Sequence, residues 1–258
     1  MQSIVISLKT AVERRNHIEQ EFGKQGITFS FFDAITPSTA LFLAENLKLK
    51  FKDDVLSTGE LACFMSHVCL WQKMIDDQIP YLAIFEDDVY LGQNAEVFLN
   101  QDHWIQTDWH IIKLEAFADK IMHEPRGMSV GSSRELYKLT GSHLGAAGYI
   151  LSLKGAEYLM TLLRREVIDE PLDHLLFDTK FHNNGLSLYQ MKPALCIQSY
   201  LYVKDGEGNF LSTLEKQRIE RRANESKART FGEKINREIG RLSQQFKHAY
   251  LKRTIEFK

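Results

Sequence analysis

The chain has 258 residues, 44% hydrophobic and 26% charged, with a formal net charge of −2. That is ordinary for a soluble globular protein with a sizeable core. No stretch approaches the roughly 20 apolar residues that a membrane-spanning helix needs, and no nucleic-acid partner is expected. The charge is uneven. From Thr213 to Lys258 there are thirteen Lys/Arg against six Asp/Glu, a balance of +7, so the remainder carries −9. An acidic body of residues 1–211 and a basic tail of residues 212–258 suggest two jobs in one chain. The three cysteines, Cys63, Cys69 and Cys196, show no metal-type clustering, which fits a reduced, cytoplasmic protein.

In chain order, Ile4-Val5-Ile6-Ser7-Leu8 reads as a buried strand and not as a signal peptide, because a basic leader and a small-residue cleavage site are missing. Lys9 to Gly26 reads as a helix with Val12, Ile18 and Phe22 on one side, and Ile27 to Phe32 as a second strand. This β-α-β opening is that of a nucleotide-binding α/β unit, although no dinucleotide glycine fingerprint follows the first strand. Arg14 and Arg15 either meet a pyrophosphate or are solvated. A short helix is expected from Thr39 to Leu47. A longer one enters at Ser57 or Thr58, with Leu61, Phe64, Val68, Trp71 and Ile75 at spacings of 3, 4, 3 and 4. His67, on a neighbouring stripe, reads as a hydrogen-bonded core residue, with a ligand as its alternative.

The apolar run Tyr81 to Phe85 is a buried strand that leads straight into Glu86, Asp87 and Asp88. Three successive carboxylates repel one another unless a cation, hydrogen-bond donors or solvent relieve them. In open α/β sheets ligands gather at the carboxyl ends of strands, where these acids fall. The segment is either a divalent-cation site or a solvated acidic turn. Further strands are expected at Trp109–Leu114, Tyr149–Leu151, Ser187–Tyr189 and Pro193–Gln198, and a helix at Lys154–Glu166. Phe117 to Leu139 reads as a flap. Gly145-Ala146-Ala147-Gly148 permits close backbone approach, either to a ligand or to another element. Ile235, Ile239, Leu242, Phe246 and Tyr250 form the apolar face of a basic helix. Such a helix docks on its own domain, binds a partner or lies on an anionic membrane.

The ordered set Val5-Ile6-Ser7-Leu8 with Arg14-Arg15, Phe32-Asp33-Ala34, Leu56 to Cys63 with Ser66-His67, Ile84 to Val89, Gly145 to Tyr149 and Pro171-Leu172-Asp173 resembles glycosyltransferase family 25. That is the lipooligosaccharide galactosyltransferase group of Gram-negative bacteria, and the likeness covers roughly the first two hundred residues. The resemblance implies a GT-A-like α/β fold with a mixed central sheet, its N-terminal half binding a UDP-sugar and its C-terminal half facing the acceptor. It also implies transfer of a hexose, most often galactose from UDP-galactose, with inversion, onto a lipooligosaccharide or lipid-linked oligosaccharide acceptor. A divalent ion, Mn2+ or else Mg2+, is implied at the acidic cluster.

On this reading Glu86 and Asp88 hold the metal. They share a face if the strand continues, an argument that weakens if the chain turns at Asp87. Ser7, Leu8, Arg14, Gly59, Glu60, Asp87, Gly145 and Gly148 border the donor. Asp173 is the general base, with a helix cap as its alternative. His143, His174 and His182 are candidates to complete the metal shell. The rival readings are another metal-dependent nucleotide-utilising transferase and a non-catalytic nucleotide-sugar-binding protein. The expected location is cytoplasmic, peripheral on the inner membrane if the tail binds anionic lipid.

Overall fold

The computed structural model describes residues 1–179, 185–203 and 252–258. His182 and the apolar face Ile235 to Tyr250 lie outside the described residues. The first half of the chain folds as β1 (Gln2–Ser7), α1 (Val12–Gly23), β2 (Ser30–Asp33), α2 (Pro37–Asn46), β3 (Lys50–Phe51), α3 (Thr58–Asp76), β4 (Tyr81–Glu86), β5 (Val89–Leu91), α4 (Glu96–Leu99) and β6 (Ile111–Lys113). It continues as β7 (Lys120–Met122), β8 (Met128–Gly131), β9 (Arg134–Lys138), β10 (Gly148–Ser152), α5 (Leu153–Arg165), β11 (Val167–Ile168), α6 (Leu172–Phe177), β12 (Leu188–Lys192), β13 (Cys196–Gln198), α7 (Ser199–Tyr202) and β14 (Lys252–Thr254).

Eight strands form one mixed sheet in the order β2-β1-β4-β10-β6-β12-β9-β8. β2, β1 and β4 run parallel, β10 runs against both β4 and β6, and β12 lies parallel to β6. The expected α/β architecture with a mixed central sheet is therefore present. Strand periodicity explains its two cores, because successive side chains leave a strand on opposite faces. Ile4, Ile6, Leu82, Ile84, Tyr149 and Leu151 pack against α2, α3 and α5 on one face. Val5, Ala83, Phe85 and Ile150, one residue out of phase, pack with Ile18 and Phe22 of α1 and Phe98 of α4 on the other.

α3 starts where the sequence places it. The Ser57 hydroxyl accepts from the Glu60 amide at 3.2 Å and the Glu60 carboxylate accepts from the Ser57 amide at 2.9 Å, a complete capping box. The apolar stripe then buries Phe64, Val68 and Trp71 completely or nearly so.

Two expectations are corrected. Phe117 to Leu139 is not a flap: β9 pairs with β12 and β8 with β9, which extends the sheet by two strands. The described end of the tail, residues 252–258, is not helical. Residues 252–254 pair antiparallel with β7, Ile255 is buried in the core, and Ala194 bridges to Phe257. The chain thus returns to its own body after residue 251. No helix among the described residues is long and apolar enough to cross a membrane.

Candidate functional site

The parallel pairing of β1 with β4 sets Ile6 opposite Glu86, so the carboxyl ends of the two strands finish side by side. A cleft of about 480 Å³ opens there, between the first turn of α1 and the N-terminus of α3. Ser7, Leu8, Arg14, Gly59, Glu86, Asp87 and Asp88 line it, together with Cys63 and Ser66 of α3. Seven of the eleven residues assigned to chemistry from the sequence therefore share one wall-to-wall cavity.

The three carboxylates do not behave alike. β4 ends at Glu86 and the chain turns through Asp87 and Asp88, so strand alternation does not carry the shared face of Glu86 and Asp88. They meet by another route. β13 pairs with β5 so that Gln198 faces Val89, and the Ser199 amide donates to the Asp88 carbonyl at 2.8 Å. This brings the Gln198 amide within 3.4 Å of both Glu86 Oε2 and Asp88 Oδ1. Asp87 points instead at β1 and α1: the Ser7 hydroxyl donates to its Oδ2 at 2.7 Å and Arg14 donates to its Oδ1 at 2.6 Å. Arg14 lies 3.9 Å from Asp88.

One guanidinium thus faces three acids. Burial alone pulls the Arg14 pKa down, but Asp87 and then Asp88 outweigh it, and the net shift is upward. Burial, and after it the charge of Glu86, push Asp88 from 3.8 up to about 8, against the pull of Arg14. A buried carboxyl that holds its proton for want of positive charge, beside a second carboxylate converging on the same amide, suits a hard, oxygen-ligated cation.

His67 lies on the other side of Glu86. Its ring is fully buried, its Nδ1 is 2.8 Å from the Tyr149 hydroxyl, and its Nε2 is 3.7 Å from Glu86 Oε1 without a hydrogen-bond partner. Cys63 Sγ lies 3.8 Å from the same oxygen. The core reading of His67 holds for one ring nitrogen and fails for the other. Gln198 carries no signal in the sequence that would have placed it here.

Four assigned residues lie elsewhere. Glu60 is engaged in the capping box and is absent from the cleft lining. Gly145 and Gly148 pack against protein. A Cβ at Gly145, where φ is +87°, would stand 2.8 Å from Glu115 Oε2, and one at Gly148 would stand 2.2 Å from Cys196 Sγ. The stretch is closely packed internally, the alternative reading.

Asp173 is neither the cap of α6, a position that Pro171 holds, nor part of the cleft. Its Oδ2 accepts from the Gly145 amide at 3.2 Å, and its buried Oδ1 has no hydrogen-bond partner.

Asp173 belongs to a second polar cluster behind β10. Lys113 and Glu115, both fully buried, form an ion pair of 2.8 Å. The Lys113 ammonium also donates to the Gly145 carbonyl and sits 4.2 Å from the Phe177 ring centre, and Glu115 accepts from the Ala147 amide at 3.1 Å. Burial raises the Glu115 pKa against the opposing pull of Lys113.

His143 closes this cluster. Burial, then Lys113, bring its pKa down to about 3, so it is neutral. Nε2 accepts from the Phe117 and Ala118 amides at 3.3 and 3.1 Å, so the ring proton sits on Nδ1, which donates to Gln190 Oε1 at 2.7 Å. Its lone pair is committed to protein. His174 faces Glu170 at 3.4 Å. Neither histidine completes a shell around Glu86 and Asp88.

Sequence comparisons show which family the chain is drawn from. The family model "Glycosyltransferase family 25 (LPS biosynthesis protein)" matches residues 1–176. The lacto-N-neotetraose biosynthesis glycosyltransferase LgtE of Neisseria meningitidis is 36% identical over all of this chain and all of its own. LgtB of the same organism is 36% identical over 95% of this chain and 94% of its own. The lipooligosaccharide biosynthesis protein lic2B of Haemophilus influenzae is 40% identical over 78% and 77%. Among solved structures, a glycosyltransferase that modifies the major capsid of PBCV-1 aligns at 11% identity over 77% of this chain and 92% of its own, with a TM-score of 0.40. The chain belongs to glycosyltransferase family 25.

Proposed function

We propose that this chain transfers a hexose, galactose from UDP-galactose, with inversion onto a lipooligosaccharide acceptor, and that Glu86 and Asp88 hold a divalent cation for the donor diphosphate. The observation that carries the reading is the convergence of these two carboxylates on Gln198 in the cleft lining, where burial and then the charge of Glu86 push Asp88 up to about 8. When bound, Mn2+ or Mg2+ neutralises the charge that grows on the diphosphate as the glycosidic bond breaks. The donor class and acceptor class follow from the family and from relatives named for lacto-N-neotetraose and lipooligosaccharide biosynthesis. The GT-A-like reading of the fold rests on the β-α-β opening and on the cleft at the parallel strand ends.

The chain's own residues divide the remaining work. Arg14 fixes Asp87 and, through it, the first turn of α1 against the strand ends. Ser7 ties the same carboxylate to β1, so the two cleft walls keep a constant separation. Leu8, 45% exposed on the cleft, and Gly59 at the α3 N-terminus give an apolar lip and an unhindered backbone for the nucleotide.

Inversion needs one base for the acceptor hydroxyl proton. Asp173 is the proposed base on the strength of the Pro171-Leu172-Asp173 motif: its Oδ2 is held by the Gly145 amide, and its Oδ1, buried outside the cleft lining and without a hydrogen-bond partner, has to be uncovered for the acceptor to reach it. The test is Mn2+-dependent transfer from a panel of UDP-sugars to a lipooligosaccharide acceptor, with product linkage determined. UDP-galactose is expected to be the best donor. Asp173→Asn is expected to lower turnover by about 10²–10⁴ while UDP affinity by calorimetry stays unchanged. Unchanged turnover, or lost UDP binding, counts against the base.

A further inference from the structure

Glu86 sits between two sets of potential ligands, and its two oxygens face different ones. Oε2 faces Gln198 and, through it, Asp88. Oε1 faces α3, 3.8 Å from Cys63 Sγ and 3.7 Å from His67 Nε2. The three ligand atoms of Cys63, His67 and Glu86 lie within 4.8 Å of one another. Cys63 and His67 are four residues apart on one helix, which puts them on one face a single turn apart.

We propose that Cys63 Sγ, His67 Nε2 and Glu86 Oε1 form a binding site for a borderline-soft divalent cation of the zinc class, distinct in chemistry from the all-oxygen site of Glu86 and Asp88. Four observations support it. The spacing is right: bonds of about 2.0–2.3 Å at tetrahedral angles separate neighbouring ligand atoms by roughly 3.3–3.6 Å, within a few tenths of an ångström of both separations to Oε1.

The imidazole is poised for such a role. His67 is fully buried, yet its Nε2 has no hydrogen-bond partner and is aimed at the cluster. Its other nitrogen is held by the Tyr149 hydroxyl, which Trp71 Nε1–H fixes in turn at 2.9 Å. In the tautomer that donates Nδ1–H to Tyr149, the Nε2 lone pair faces Glu86. A buried partner on the second nitrogen is the usual way that a ligating histidine is oriented.

The donor set has a preference. One thiolate and one imidazole suit zinc or cobalt, while Mn2+ and Mg2+ prefer oxygen ligands alone. Lastly, three protein ligands leave the fourth tetrahedral position open. Both Cys63 and Glu86 line the cleft, so that position faces the space assigned to the donor.

Binding exchanges one proton for the cation. Cys63 Sγ–H donates to Glu86 Oε1 without the metal, and the cation takes the thiolate while the proton leaves to solvent. Because Glu86 is common to both sites, a zinc-class ion draws this carboxylate away from Asp88. Zinc is therefore expected to inhibit a reaction that depends on the all-oxygen site.

The test is a Co2+ titration of the full reduced chain, read by absorption. Saturation at one equivalent is expected, with a thiolate-to-cobalt charge-transfer band in the near ultraviolet and the intense visible bands of tetrahedral cobalt, both removed by zinc. Cys63→Ser should lose the near-ultraviolet band and weaken cobalt binding on the order of 100-fold, with the fold checked by circular dichroism. Should the serine variant unfold, Cys63→Ala gives the same readout, and Glu86→Gln is expected to weaken cobalt binding while the band persists at saturation. Asp88→Asn and Cys69→Ser should keep the band. A wild-type chain without the band, or a band that survives Cys63→Ser, overturns the proposal. Both results are independent of sugar transfer, so failure of the transferase reading leaves this test standing.

Discussion

Two acidic clusters lie on either side of β4 and β10, and they solve the same electrostatic problem in opposite ways. Behind β10, Glu115 is fully buried but has Lys113 at 2.8 Å, the Ala147 amide at 3.1 Å and the neutral His143 close by. The charges balance within the protein. At the cleft, three carboxylates share one guanidinium, and Asp88 retains a proton up to about pH 8. A buried acid with its own lysine is part of the architecture, whereas buried acids short of positive charge are waiting for a ligand that brings it. The first cluster holds the Gly145 turn and Asp173 in place. The second is where, on the function proposed above, a cation and a diphosphate would complete the charge balance.

Substitutions separate the two. Asp88→Asn removes the proposed cation ligand and keeps an amide oxygen for Gln198 to donate to. Transfer is expected to fall by about 10³, corresponding to the several kcal/mol of transition-state stabilisation that a bound cation supplies, with an unchanged circular dichroism spectrum. Lys113→Met does the reverse by leaving Glu115 buried without its ion pair. A loss of about 3–5 kcal/mol is expected, which at about 2–4 °C per kcal/mol lowers Tm by roughly 10 °C in thermal unfolding. If Lys113→Met leaves Tm unchanged but removes donor binding, the two clusters have been assigned the wrong way round.

Gly148→Ala sharpens the contrast on a smaller scale. Its Cβ would stand 2.2 Å from Cys196 Sγ, and overpacking of this kind costs about 1–3 kcal/mol. The expected result is a lower Tm with unchanged UDP affinity by calorimetry, and the opposite pattern would return Gly148 to the donor site.

The smallest effect is on pH dependence. The folded pKa of Asp88 lies above its ordinary 3.8, so without metal the folded state holds a proton that the unfolded chain has released. The stability from this group is present below about pH 4 and is lost as pH rises toward about 8. In chelator, Asp88→Asn is therefore expected to lose less Tm than the wild type across that window. A steeper loss in the variant would contradict the protonated state of Asp88.

Much of this was legible along the chain. The 3-4-3-4 spacing from Leu61 to Ile75 and the Ser57–Glu60 cap define α3 locally, because helix periodicity and capping act within a few residues. The Tyr81–Glu86 strand and the acids after it read correctly for the same reason.

What escaped depends on distant pairing. Gln198 reaches Asp88 across 110 residues through β13 and β5, and a single glutamine carries no signal of that. The return of residues 252–254 to β7 rests on three residues paired across more than a hundred positions. Gly145 and Gly148 have the composition of a ligand-cradling loop, and only the neighbours Glu115 and Cys196 show what the missing side chains make room for. Glu60 can be read two ways, because the same carboxylate fits a donor border and a capping box, and the structure shows the capping box.

The most direct test of the central claim is a Mn2+ titration of the wild type and Asp88→Asn in the presence of UDP, with free Mn2+ followed by electron paramagnetic resonance. The account predicts one Mn2+ per wild-type chain, tighter as pH rises toward about 8 because the ion competes with the Asp88 proton. It predicts little binding to the variant at any pH. Equal Mn2+ binding by the two proteins would contradict it.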